Sequence, residues 1–146
     1  MIRSEDEYQA AHQRLKEMKA QATAQEEHFR SMGFGAEELK RLMDPSRSFY
    51  MQVEDEIATY EKLKRGDVGE LVNLHELGKS LVALRVASGI TQRELARRMR
   101  VDESQISRWE RNEYHGITIE RASAVLDALG ARVKTIFEEV GMMADA

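Results

Sequence analysis

Two helix starts stand eleven residues apart near residue 100, leaving room for one short helix and one tight turn between them. Thr91-Gln92-Arg93-Glu94 has the spacing of a capping box, in which the Thr oxygen accepts from a free first-turn N–H and the Glu reaches back. Asp102-Glu103-Ser104-Gln105 repeats that spacing. The first box opens a helix to about Arg100 and the second a helix to about Asn112. Leu95, Met99, Val101, Ile106 and Trp109 supply apolar contacts between them, and Ala96 is small where they would cross. Helices this short are marginal alone and need neighbours to pack on. Leu74, Leu77, Leu81, Leu84 and Ala87 give one, stopped by Ser88-Gly89. Thr118 caps another, Ile119 to Leu129, which Gly130 ends. Val133, Thr135 and Phe137 then alternate with other residues, which predicts a short strand.

The N-terminal half has longer periods. Ser4-Glu5-Asp6-Glu7 is a further capping box, after which Tyr8, Ala11, Leu15, Met18, Ala22, Gln25, Phe29 and Met32 recur at steps of three and four. Gly33-Phe34-Gly35 ends that stripe. A second stripe follows through Leu39, Leu42, Phe49, Val53, Ile57, Tyr60 and Leu63. Two stretches of similar length around a Gly-rich turn predict an antiparallel hairpin, roughly 40 Å long at 1.5 Å per residue. Pro45 removes a donor and crowds the preceding turn, so a break is expected near Asp44, which would cap a fresh helix. Lys62, Lys64 and Arg65 followed by Gly66 form a stop signal and a domain boundary. The expected fold is all-α: a helical hairpin over 1–66, then a four- to five-helix domain over 67–146 with a short C-terminal strand.

Composition narrows the function. The net charge of −4 is unevenly spread. Residues 1–70 hold 11 Lys/Arg against 15 Asp/Glu, residues 71–137 hold 11 against 8, and residues 138–146 hold 0 against 3. The basic excess therefore falls on the short-helix region, where it would suit phosphates. The chain has no Cys, so disulfides and thiolate metal sites are excluded. His12, His28, His75 and His115 are scattered without metal-ligand spacing. With no Gly-rich phosphate loop and no nucleophile motif, neither an enzyme nor a cofactor is expected. No apolar stretch approaches a membrane span and the N-terminus is too polar for a signal peptide, so a cytoplasmic protein without membrane contact is expected.

Ser88-Gly89-Ile90-Thr91-Gln92-Arg93-Glu94-Leu95-Ala96, leading into Ser104-Gln105-Ile106-Ser107-Arg108-Trp109-Glu110, resembles the Cro/repressor-type (Xre-like) helix-turn-helix over about residues 74–130. The resemblance implies a regulator that lays the helix Glu103–Asn112 in the major groove of double-stranded DNA. It implies that Gln92 holds a phosphate, with Arg93 beside it. It places Glu103, Ser104, Ser107 and Arg108 toward the bases with Gln105 at the margin, and Arg111, Asn112, Tyr114 and His115 toward the backbone. Arg108 suits a guanine and Glu103 a cytosine N4. Arg85 and Glu110 match a structural ion pair of the family. Arg100 departs from the family's usual Gly at the turn, where a left-handed conformation costs an L-residue something like 1 kcal/mol. Arg93, Arg97, Arg98, Arg108 and Arg111 would equally serve as a solvated face, but the order of apolar and small residues favours DNA. A homodimer on a palindromic operator is expected, because one motif reads too few base pairs. The hairpin's partner is then a second subunit first, the DNA-binding domain or another protein next. Glu5, Glu7, Tyr8 and Ala11, with Glu56, Tyr60-Glu61-Lys62 and a linker, also bear a looser resemblance to HigA-type antitoxins. That resemblance implies a toxin partner as the alternative.

Overall fold

Ser4 accepts a hydrogen bond from the Glu7 N–H at 3.2 Å in a computed structural model of the chain, which describes residues 1–138. The Glu7 carboxylate reaches back one residue further than the box requires, to the Arg3 N–H at 2.7 Å. Helix α1 runs from there over Glu5–Ser31. It ends where Gly33 takes φ +90°. The Gly33 N–H donates to Arg30 O and the Phe34 N–H to Phe29 O, and the Phe29 and Phe34 rings meet edge-on at 5.8 Å. That pattern of two backward bonds closed by an apolar contact is a Schellman ending, and it reverses the chain.

Helix α2, Ala36–Lys64, returns along α1. It is continuous through Pro45, against the expected break at Asp44. An interior Pro costs about 3 kcal/mol in a free helix. Here Pro45 lies on the exposed side, while Leu39, Met43 and Val53 are buried on the other and hold both halves of α2 against one straight neighbour. The buried stripe is Leu39, Met43, Val53, Ile57, Tyr60 and Leu63, with Ser46 and Tyr50 half-buried in the same phase. This corrects the expectation for the first half of α2, since Leu42 and Phe49 face outward, Phe49 being 62% exposed. On α1 Tyr8, Ala11, Leu15, Met18, Ala22 and Phe29 of the expected stripe are buried or half-buried, while Gln25 and Met32 are exposed. Polar links fix the pairing: Ser46 to Gln25 at 3.1 Å, an ion pair of Lys19 with Glu54, and Tyr8 to Glu61 at 2.8 Å beside a Tyr8–Tyr60 ring contact of 5.0 Å.

Four shorter helices follow: α3 Leu77–Ala87, α4 Gln92–Met99, α5 Glu103–Arg111 and α6 Ile119–Leu129. α3 starts at Leu77, and Asn73 before it takes φ +53°, which no helix accepts. Leu81, Val82, Leu95, Ala96, Ile106, Tyr114, Ala122, Val125 and Leu129 form the core of these four helices. The other side of α3 completes a second core, in which Ala83 and Val86 pack with Ile2, Ala11, Val53, Ile57, Tyr60 and Leu63. The base of the hairpin is thus covered by α3. No strand forms among the described residues, and 131–138 carry no regular structure, where a short strand was expected. A strand needs a ladder partner, and the described chain offers none there. No helix among the described residues is long and apolar enough to cross a membrane.

The register of α2 is testable by denaturant unfolding of the full chain. Ile57→Ala should cost about 2–4 kcal/mol, and Phe49→Ala should stay within about 0.5 kcal/mol. The reverse order would return Phe49 to the buried stripe.

Candidate nucleic-acid interface

α4 begins with one half of its box, Thr91 accepting from the Glu94 N–H at 3.1 Å, while the Glu94 carboxylate turns to Arg97 and Arg98 instead of reaching back. It ends at Arg100, which adopts φ 57°, ψ 43°. The Arg100 and Val101 N–H groups close the last turn on Arg97 O and Ala96 O. The turn therefore has the left-handed geometry a Gly would take cheaply, and Arg100 leaves its side chain exposed there. α5 starts at once. Asp102 makes no side-chain cap bond, so the second box is a box in spacing only. Leu95, Ala96 and Ile106 are buried where α4 and α5 cross.

The far end of α5 is anchored inside the protein. Glu110 is 1% exposed and Arg85 of α3 is 3% exposed. Arg85 Nε and Nη2 both donate to the Glu110 carboxylate, the latter at 2.8 Å. The Gln92 amide donates to the same carboxylate at 2.7 Å. The guanidinium also donates to two carbonyls, Ile90 O and Arg3 O, each at 2.8 Å. Both members of this pair are held by several hydrogen bonds, which is the condition for burying it without a large penalty.

The exposed side of α5 is built differently. Glu103, Ser104 and Arg108 are exposed, and Ser107 is half-buried. Ser104 and Arg108 lie one turn apart, as do Ser107 and Arg111, so these side chains share one face. Glu103 is engaged by Arg93 at 3.3 Å, which offsets its repulsion toward a polyanion. Gln105 is half-buried, at the edge of this face. Among the described residues no carboxylate lies within ion-pair distance of Arg100, Arg108 or Arg111. Arg97 and Arg98 are different. Glu94 holds them at 2.7 and 2.8 Å, and their guanidinium bonds hold its carboxyl down to about 2. Glu94 therefore stays anionic throughout the neutral range and keeps both cations occupied. Arg98 also donates to Ala128 O at 2.9 Å.

The loop after α5 corrects one expectation. Asn112 and His115 are exposed, but Tyr114 is buried in the core beside Trp109, at 6.3 Å between rings. Its hydroxyl has no hydrogen-bond partner, and burial, with Glu110 nearby, pushes its pKa above the ordinary value. Tyr114 thus belongs to the framework and is not on the surface. Glu113 and Tyr114 both take left-handed φ. The loop can close this tightly because it lies on Gly78 of α3, where a Cβ would collide with the Glu113 carbonyl. Sequence reasoning passed over Gly78, as it did Arg3 and Arg121. The Arg121 guanidinium lies 4.7 Å over the Trp109 ring and covers it from solvent.

The structure therefore groups Gln92, Arg93, Glu103, Ser104, Ser107, Arg108 and Arg111 around α5 and the start of α4, with Asn112 and His115 just beyond. Residues 81–134 match the helix-turn-helix family. That family is one of DNA-binding regulators, and the match spans all four short helices except the first turn of α3. No curated protein and no solved structure matches the chain.

Removing one member of the buried pair leaves the other charged and unpaired. Glu110→Gln should cost about 3–5 kcal/mol in urea unfolding, and the double change Arg85→Met with Glu110→Leu should cost less than either single change. A loss under 1 kcal/mol for the single variant would place the anchor of α5 elsewhere.

Proposed function

We propose that this chain, a DNA-binding transcriptional regulator by its Xre/Cro-type helix-turn-helix domain at residues 81–134, is a dimeric repressor that reads a palindromic operator through the major groove. One observation carries the reading. α5 presents Ser104, Ser107 and Arg108 on an open face while Glu110, on its inner side, is fixed in a buried ion pair that Gln92 also bonds. A reading element must be held rigidly, since base-edge hydrogen bonds tolerate little misplacement. Arg108 is the group that discriminates, by bidentate bonding to a guanine. The Gln92 amide is half used by Glu110, and the rest of it, with the free N–H groups of the first turn of α4, takes a phosphate. Arg111, Asn112 and His115 follow the backbone beyond. Two copies are needed because one such helix reads only a few base pairs.

A second reading is favoured by the far end of the hairpin. Its base is occupied by α3, but Met32 and Leu42 near the tip and Phe49 and Met51 midway along α2 are exposed. A hairpin that only braced the DNA-binding domain would have no use for them. An antitoxin would, by seating a toxin there while its other end binds the operon's own DNA. Pull-down with the product of an adjacent gene separates the two readings, and a stable complex lost on Phe49→Asp would favour the antitoxin.

Selecting bound sequences from a random duplex pool defines the operator. On it, Arg108→Ala should weaken binding by about 1–3 kcal/mol, with the loss confined to one base pair per half-site. Equal losses on every sequence would show that Arg108 holds a phosphate. Gln92→Ala should weaken all sequences alike, at one fixed salt concentration.

A further inference from the structure

A single ion pair joins the first turn of α4 to the start of α5. Arg93 is the second residue of α4 and Glu103 the first of α5. Arg93 Nε donates to a Glu103 carboxylate oxygen at 3.3 Å, with the two side chains 85% and 50% exposed. The neighbouring acid is bonded much more firmly. Glu94 accepts from Arg97 Nε and Nη2 at 2.9 and 2.7 Å and from Arg98 Nε at 2.8 Å. Arg98 is tied down further by Ala128 O. Several short bonds must break to free Arg97 and Arg98, whereas Arg93 is held by one long bond. An exposed pair of that kind is worth little, so competing partners displace it.

Both members of the weak pair have a partner on duplex DNA, and the two partners differ in kind. Arg93 follows Gln92 in the first turn of α4 and suits a phosphate of any sequence. Glu103 lies one turn from Ser107 on the exposed side of α5. Its carboxylate only accepts, so it suits the N4 amino group of cytosine and is repelled by the N7 and O6 acceptors of guanine. Neither exchange is favourable alone. If Arg93 left for a phosphate, Glu103 would stand bare before a polyanion. If Glu103 left for a base, Arg93 would lose its carboxylate. When both exchange at once, each charge keeps a partner.

We infer that Arg93 and Glu103 form an exchangeable pair, closed in the free protein and on unrelated DNA, and opened on the operator, where Glu103 accepts from a cytosine and Arg93 passes to a phosphate. The inference rests on the major-groove reading given above and adds a coupling to it: one base identity decides whether one phosphate contact is made. A wrong base pair then loses the base bond and the phosphate contact together. Selectivity at that position acquires a salt dependence that a base-edge hydrogen bond lacks, since it is phosphate contacts that release counterions.

The test measures binding of the full chain to operator duplexes that differ at single base pairs, over a range of salt concentrations. Selection from a random pool with the native chain and with Glu103→Ala locates the base pair that Glu103 reads, and Arg108→Ala does the same for its guanine. One phosphate contact changes the slope of log affinity against log salt by about 0.9. The preference for cytosine at the Glu103 position should therefore fall about eightfold for each tenfold rise in salt, while the preference for guanine at the Arg108 position stays constant. Arg93→Gln should keep the cytosine preference and abolish its salt dependence, whereas a general loss of structure would weaken all duplexes alike. A cytosine preference independent of salt in the native chain, or one still salt-dependent in Arg93→Gln, overturns the coupling. Glu103→Ala leaving every base preference unchanged overturns it too, while the Arg108 contact stands. If neither Glu103→Ala nor Arg108→Ala alters any base preference, the major-groove reading itself falls.

Discussion

The buried pair of Arg85 and Glu110 ties together four parts of the chain that are distant in sequence. Glu110 closes α5, Arg85 lies near the end of α3, Gln92 opens α4, and the Arg3 carbonyl belongs to the turn before α1. An apolar pair of similar volume would pack there at no loss of stability, and often at a gain. What an apolar pair would not supply is direction. A guanidinium has a planar fork of donors, and it is satisfied only when carboxylate and carbonyls stand in one arrangement. The orientation of α5, and with it the face bearing Arg108, is set by that requirement as much as by the core beneath it.

The same pair joins the hairpin end of the chain to the helix-turn-helix. Had α1 and α2 formed an independent domain, the linker from Gly66 to Glu76 would have separated them from α3. Instead α3 has two apolar sides, one for each core, and Arg85 sits between them. A load on the hairpin is felt at Ala83 and Val86, one turn or less from the residue that fixes α5. The linker is long and carries three left-handed residues, Gly66, Gly69 and Asn73, because it spans a joint that packing has already closed. α2 ends at Lys64 and Gly66 turns the chain, yet one core joins residues from both sides of that point.

What the sequence made legible were features decided within one or two helical turns. The caps at Ser4, Thr91 and Thr118, the stops at Gly33, Gly66, Gly89 and Gly130, and the left-handed turn at Arg100 are local, and all are found where the residues indicate. The Arg85–Glu110 pair came from resemblance, since no local rule joins residues 25 apart. Three of the misreadings are cases where a distant neighbour decided. Pro45 is held within α2 by α1 alongside. Leu42 and Phe49 look as apolar as Met43 and Tyr50, and only the phase set by Val53, Ile57 and Tyr60 separates them. Tyr114 looks like a loop residue and is buried because Gly78, thirty-six positions earlier, leaves room for its backbone.

The candidate DNA face was legible in position and less so in charge state. A count of arginines near α4 and α5 gives the impression of a broad basic surface. Glu94 removes two of them, Arg97 and Arg98, and Arg93 is spent on Glu103. The cations left without a carboxylate among the described residues are Arg100 at the turn and Arg108 and Arg111 one turn apart along α5. A surface of few free charges binds phosphate modestly and without regard to sequence only weakly, so more of its selectivity rests on base contacts. The acidic net charge of the chain points the same way, because it lowers the affinity for DNA at large while leaving the contacts of one face intact. Under the dimeric reading proposed above, a second copy supplies what charge does not, by doubling the specific contacts on one site.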